Sequence, residues 1–348
     1  MKKITILMVI LMLSCMQMIA QGYNKKGTIT LSHQGKESSF GNNQIAAAVS
    51  AAADGDTIYL SAGFFDGDVI IDKKLVFIGS GADEDCSGTN FLGRMVIKMP
   101  ENTKLTARLF EGIHFAYYGD DGITFQNTIE NVVFKKCSNM WCTINGEIKS
   151  ILYDRCLLFV DYLFGDTKIK KIIARNCDIT SINVPVSLKN EVIRQCFNCN
   201  IQINKYWSST DDRVHSDFIL DGEYTNCIIN NGGLPLYDKD NKNETSSAVF
   251  TNCLFMKPED GADIFNGASV KNNMFYESTG EDDVSITKMT KEQLQANGFL
   301  GNDGTVVGYW GGKNPYSLKM ISLAILSHKI HLDKEKKQLQ MKMKVSLQ

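Results

Sequence analysis

The 348-residue chain has no dominant charge: 37 Lys and Arg stand against 39 Asp and Glu, a formal net charge of −2. Without an excess of either sign there is no electrostatic footprint for nucleic acid or for an anionic membrane surface. Beyond its first two dozen residues the chain also has no apolar stretch near the roughly 20 residues that a membrane-spanning helix needs. The Cys196-x-x-Cys199 spacing has no second Cys/His pair beside it, which leaves a zinc site without half its ligands. Through the middle of the chain apolar runs of helical length are missing. The runs there are three to five residues long and alternate, which suits strands and is too short for helices.

What is present is a returning phrase. It is clearest at Asn176-Cys177-Asp178-Ile179, Asn198-Cys199-Asn200-Ile201, Asn226-Cys227-Ile228-Ile229, Asn252-Cys253-Leu254-Phe255 and Asn272-Asn273-Met274-Phe275, with looser copies at Lys136-Cys137 and Arg155-Cys156. Counted at 137, 156, 177, 199, 227, 253 and 273, successive copies are 19, 21, 22, 28, 26 and 20 residues apart. Three residues before each stands Phe134, Tyr153, Ala174, Cys196, Tyr224, Phe250 or Val270, nearly all apolar. A period near 20 residues built of short strands and turns predicts a stacked solenoid whose coils pair about 4.8 Å apart. Like side chains then fall into columns. Asn tolerates the left-handed backbone of a tight turn and stacked Asn amides bond along the ladder, while Cys is small enough for a narrow core.

The Asn-Cys/Asn-x-Ile/Phe phrase after a short apolar strand resembles the repeat of right-handed parallel β-helix proteins of the pectin-lyase-like class, over residues 55–280 or so. The resemblance implies an all-β fold, a single right-handed parallel β-helix with an N-terminal capping helix, to which the apolar alternation of the tail adds a C-terminal β-hairpin. It implies no one activity, because this fold hosts lyases, hydrolases and adhesins alike. The expected organisation is a signal peptide over 1–20, a strand and capping helix over 21–55, the β-helix over 56–280, and a cap with a hairpin tail over 281–348.

Met1-Lys2-Lys3 followed by the apolar run Ile4 to Leu13 reads as an export signal, cleaved after Ala20. Alternatively Leu13-Ser14-Cys15 resembles part of a lipobox, which would make Cys15 a lipid anchor. Either outcome places the protein in the periplasm, on the cell surface or outside the cell. Nine further cysteines remain, an odd number, and six of them (Cys137, Cys156, Cys177, Cys199, Cys227 and Cys253) sit on ladder positions. Rung length explains their spacing, and parallel side-chain vectors suit a disulfide poorly, so buried free thiols are expected.

At the N-terminal end, Gly27–Ser32 reads as a strand and the alanine run Ile45–Ala53 as a helix capped by Asn42 or Asn43. Asp54-Gly55-Asp56 then turns the chain into the strand Thr57–Leu60. At the far end, Met289–Asn297 reads as a short helix capped by Thr287 or Thr290. The glycines of Asp303–Gly312 suit a wrapping loop, and apolar alternation through Ala324–Leu332 and Leu339–Leu347 suits a hairpin.

The chemistry-bearing residues lie in the two longest units. The first carries Tyr206, Trp207, Asp211, Asp212, Arg213, His215 and Asp217; the second carries Tyr237, Asp238 and Asp240. Aromatics that stack on sugar rings, beside acids and an Arg, suit polysaccharide recognition, with Tyr206, Trp207, Asp217 and Tyr237 as the ligand-binding set. The alternative is a polysaccharide lyase or glycoside hydrolase. There Asp211, Asp212, Arg213 and His215 would be catalytic, and Asp238 and Asp240 would hold Ca²⁺. The Asp/Gly-Asp-Asp/His motifs of pectin-cleaving β-helix hydrolases are absent as a set, and Asp154 is followed one rung later by Arg175 rather than by another acid. A third reading is a structural or adhesive surface rod. His114, in an apolar strand, is expected to be a hydrogen-bonded structural residue.

Overall fold

The computed structural model describes residues 26–82, 88–101, 109–115, 122–138, 142–159, 168–180, 184–185, 191–202, 218–219, 221–230, 247–256, 269–271, 274–276, 289–301 and 304–311. They form a parallel β-solenoid. A first sheet runs the length of the rod through Thr57–Leu60, Val76–Ile78, Phe110–Glu111, Thr128–Lys135, Glu147–Asp154, Lys171–Arg175, Ile193–Phe197, Glu223–Thr225, Val249–Thr251 and Ser269–Lys271, paired in parallel in that order. A second sheet holds Gly63–Phe65, Thr89–Phe91 and His114–Phe115, then Leu157–Phe159, Asp178–Thr180, Asn200–Gln202, Ile228–Asn230, Leu254–Met256 and Met274–Tyr276. Parallel bridges from His114 to Ser138 and from Ser138 to Leu157 join its two parts. Early coils add a third sheet of Val69–Ile71, Met95–Lys98, Ile123–Gln126 and Cys142–Ile144.

The repeating phrase sets the corner between the first and second sheets. One residue turns the chain there, and in every described copy it is left-handed: Lys136, Arg155, Asn176, Asn198, Asn226 and Asn252, with φ between 53° and 61°. That conformation costs an L-residue about 1–2 kcal/mol, and Asn is among the few residues that adopt it routinely. The Cys after it points into the core. The carbonyls of Cys137, Cys156, Cys177, Cys199 and Cys227 each accept the backbone N–H of the second-sheet strand one rung on, as from Leu157 to Cys137 and from Asp178 to Cys156. Cys137, Cys156, Cys177, Cys196, Cys199, Cys227 and Cys253 are buried free thiols, as the repeat predicts. Burial pushes the thiols of Cys137, Cys156, Cys177 and Cys227 well above their ordinary pKa.

The predicted apolar column is continuous in register from Phe134 through Tyr153, Ala174, Cys196, Tyr224 and Phe250 to Val270, and the structure extends it back through Phe110 to Phe77. Its rings stack with centroids 5.2 Å apart for Phe110 and Phe134, 5.6 Å for Phe134 and Tyr153, and 5.1 Å for Tyr224 and Phe250. Each fully buried ring contributes about 1.5–3 kcal/mol by leaving water.

The N-terminal end of the coil is closed twice. Thr28–His33 and Lys36–Gly41 form a hairpin that pairs antiparallel with Thr57–Leu60, and the outermost strand is mostly exposed Lys, Glu and Ser, which blunts the edge against further pairing. The helix Ile45–Ala51 buries Ile45, Ala48 and Val49 in the same core. Its N-cap is Gln44, not Asn42 or Asn43, and Gln44 makes no side-chain cap. The Gln44 amide oxygen instead accepts the Gly41 N–H at 2.8 Å, closing the turn before the helix. At the other terminus the Lys73 ammonium donates to the carbonyls of Val49, Ser50 and Ala52 at 2.9, 3.0 and 2.8 Å.

The exit segment lies on the outer face of the second sheet. Lys291–Ala296 is a helix with a Thr290–Gln293 capping box, as expected for Thr290. Leu294, Phe299, Val306 and Val307 form a second small core with Ile228, Leu254 and Met256 of the sheet. Trp310 donates its indole N–H to the Met289 carbonyl at 3.0 Å, closing the wrap. A β-carbon on Gly301 would stand 2.3 Å from the Asn252 side chain, so only glycine passes so close to the ladder. The export segment, Cys15 and the expected tail hairpin lie outside the described residues.

Candidate functional site

The corner that returns the chain from the second sheet to the first carries the long insertions. All ten residues expected to act there (Tyr206, Trp207, Asp211, Asp212, Arg213, His215, Asp217, Tyr237, Asp238 and Asp240) lie outside the described residues, but the strands that anchor both insertions do not. The first insertion leaves after Asn200–Gln202 and the second after Ile228–Asn230, two strands paired in register with Gln202 opposite Asn230. They return to Glu223–Thr225 and Val249–Thr251, again neighbours, with Glu223 opposite Val249. Both insertions therefore share one corner of two consecutive rungs, the arrangement a common cleft requires. A short antiparallel pair, Val184–Pro185 with Phe218–Ile219, ties the preceding rung into the same corner.

Beneath the corner lies a buried polar group that the sequence reading missed. In the inward column Val132, Ile151 and Ile172 are followed in register by Arg194. The Arg194 side chain is fully buried and its guanidinium donates to the Val192 carbonyl at 3.2 Å and to Asp221 at 3.4 Å. Asp221 also accepts the Gly222 N–H at 2.8 Å and the Ser247 hydroxyl, and its carbonyl accepts the Tyr224 hydroxyl at 2.8 Å. Burial lowers the Arg194 pKa, while Tyr224 and Asp221 oppose that shift; a guanidinium stays charged throughout.

Room for so large a residue comes from the next rung. Gly222 follows in the same column, and a β-carbon there would lie 2.6 Å from the Arg194 carbonyl oxygen. Asp221 stands just before the first insertion's return strand, and Ser247 just before the second's. The network thus pins both return points to one buried cation. Its chemistry is positional. The signal was in the alternation Val192, Arg194, Cys196, which puts an arginine where the three preceding rungs put Val or Ile.

Other expectations concern described residues. His114 is buried and its Nδ1 lies 2.8 Å from the Ser138 hydroxyl, a structural role. Asp154 stands in register with Arg175. Cys196 and Cys199 are both buried in the core cluster, and among the described residues no three His, Cys, Asp or Glu side chains gather as metal ligands. Comparison with protein-family models, curated proteins and solved structures finds no match to this chain.

Proposed function

We propose that the protein is an exported β-solenoid that binds an extended polysaccharide along the corner bearing residues 203–217 and 231–246. The observation that carries this reading is the anchoring of both insertions to paired strands of consecutive rungs. Ordering a loop costs about 1–2 kcal/mol of backbone entropy per residue, so insertions of this length are kept for use. Their content supports a sugar ligand: Tyr206, Trp207 and Tyr237 offer ring-stacking faces, and Asp211, Asp212 and Asp217 offer hydroxyl acceptors. The Lys2-Lys3 pair before an apolar run supports export.

Titration of the mature protein with neutral and uronate oligosaccharides, read by calorimetry, tests this. Binding is expected to weaken roughly tenfold in Trp207→Ala, the loss of one stacking surface. Ultraviolet absorbance of an unsaturated uronate product that vanishes in Arg213→Ala would move the assignment from binding to lyase catalysis. Absence of binding to every glycan class would end the proposal.

A further inference from the structure

The exit segment runs backward along the rod. It passes the Asn252 turn at Gly301, and at Gly308 a β-carbon would stand 2.7 Å from Asn200 and Ile228. The Gly308 N–H donates to the Asn226 carbonyl at 2.7 Å, and a β-carbon on Gly311 would lie 2.9 Å from that of Asn226. Gly311 therefore stands at the corner between the two sheets, with the rungs of Phe197 and Arg175 next in its direction. Residues 312–348 follow from that point and lie outside the described residues.

The two faces that meet at this corner differ. On the outer face of the second sheet, Leu254 and Ile228 are followed in register by Asn200 and Asp178, so the apolar surface under the exit segment stops there. The outer face of the first sheet becomes apolar over the next rungs. Val133, Leu152 and Ile173 stand in one outward column, and Ile193 and Phe197 flank Gln195 on the rung after them. Ile193 is 58% exposed and the other four are half-buried. Among the described residues none of these five apolar side chains belongs to either core.

A sheet face open to water normally carries polar residues that alternate with the apolar ones facing inward. Val132-Val133-Phe134, Ile151-Leu152-Tyr153 and Ile172-Ile173-Ala174 are instead unbroken apolar runs, the pattern of strands covered on both faces. The stripe is bounded on its C-terminal side, where Gln195 donates to Glu223 at 2.8 Å. The sequence beyond Gly311 supplies a matching face: Leu339, Met341, Met343, Val345 and Leu347 alternate with polar residues. The link 312–323 can span about 3.3 Å per residue, and the rungs it must cross are about 4.8 Å apart, so reach is not limiting.

We propose that the tail of this same chain, residues 324–347, straps across the outer face of the first sheet and lays its apolar side over Val133, Leu152, Ile173, Ile193 and Phe197. The chain is delivered to the edge of that stripe by the backward course of the exit segment, and the face it leaves offers it no further apolar surface. Covering the stripe removes apolar area from water on both partners, which is the driving force for the contact. No residue of either long insertion takes part, so the strap does not depend on the glycan reading.

The test uses the full mature chain, ordinary and ¹⁵N-labelled molecules mixed, and an amine-reactive cross-linker. Links within one chain are expected from Lys342 or Lys344 to Lys149 or Lys171 of the first sheet. Links that join only labelled to unlabelled chains would give the surface to a second copy, and links from the tail only to lysines of other faces would place the tail elsewhere; either overturns the proposal. The second reading is cleavage at the tail lysines by a lysine-specific protease, whose rate follows local opening. Ile173→Asp on the sheet and Met343→Asp in the tail should each speed it roughly tenfold or more, and the double variant should be no faster than the faster single one, because both release the same contact. Ile70→Asp, at an apolar residue 60% exposed on the third sheet, should leave the rate unchanged. Trp207→Ala should leave it unchanged as well, which separates the strap from the glycan proposal. A wild-type tail cut as fast as that of the urea-unfolded chain, or one cut at the same rate in Ile173→Asp, would also overturn it.

Discussion

Asp221→Asn tests whether the buried Arg194 holds the two insertions in place. The substitution keeps an oxygen to accept from Gly222 and Ser247 but removes the charge facing a guanidinium with no side-chain exposure. Breaking a buried ion pair from one side costs about 3–5 kcal/mol, because the remaining charge stays desolvated. With a urea m-value of about 3 kcal/mol/M for a chain of this size, the unfolding midpoint should fall by about 1–1.7 M. Replacing the pair with apolar groups of similar volume is close to neutral. The column itself supplies the model, since Val132, Ile151 and Ile172 occupy the same slot in earlier rungs. Arg194→Met with Asp221→Asn should therefore recover most of the loss, a coupling of about 2–3 kcal/mol between the two sites. The assay is urea unfolding followed by circular dichroism, with amide exchange at Glu223–Thr225 and Val249–Thr251 reporting local opening. Asp221→Asn unfolding at the wild-type midpoint, or a double variant no better than the single one, would refute the reasoning.

Other outcomes follow from the same physics. Lys73→Met removes the ammonium from three helix-terminal carbonyls and should cost about 1–3 kcal/mol, seen as faster amide exchange confined to Ile45–Ala51 and its hairpin. The Asp56 carboxylate has its pKa lowered below 3.8: burial opposes ionisation, but the Ala53 N–H and His33 outweigh it. Its stabilisation is therefore present above pH 3.8 and lost as pH falls through the lower folded value; Asp56→Asn should flatten that part of the acid limb in a pH-resolved melting series. Native protein should leave its ladder thiols unreacted with a thiol reagent, whereas unfolded, unreduced protein should titrate all six; three disulfides among them would contradict the ladder. Gly301→Ala should loosen the exit segment from the Asn252 turn, read as a shift in Trp310 fluorescence with the coil itself retained.

The repeat was legible because a solenoid contact is nearly local. Each residue meets its counterpart one period away, so a period near 20 residues carried the parallel ladder, the left-handed Asn corner, the buried thiols and the column from Phe134 to Val270. The two long units also announced themselves, since their excess length shows in the spacing alone. Shared anchoring was another matter: only strand pairing decides that Gln202 meets Asn230 and Glu223 meets Val249, so that both insertions leave one corner. The N-cap at Gln44 depended on a hairpin that periodicity did not reveal. The exit segment covers the outer face of the second sheet because Ile228 and Leu254 face outward there, an apolar need visible only once inside and outside are known. Arg194 is the clearest case. The alternation Val192, Arg194, Cys196 puts its side chain on the inward face, but only the structure shows that Gly222, Asp221 and Ser247, far along the chain, make that burial tolerable. A sequence fixes what repeats at its own period, whereas the fate of a buried charge is decided by partners from other rungs, because its desolvation must be matched wherever they fall in the chain.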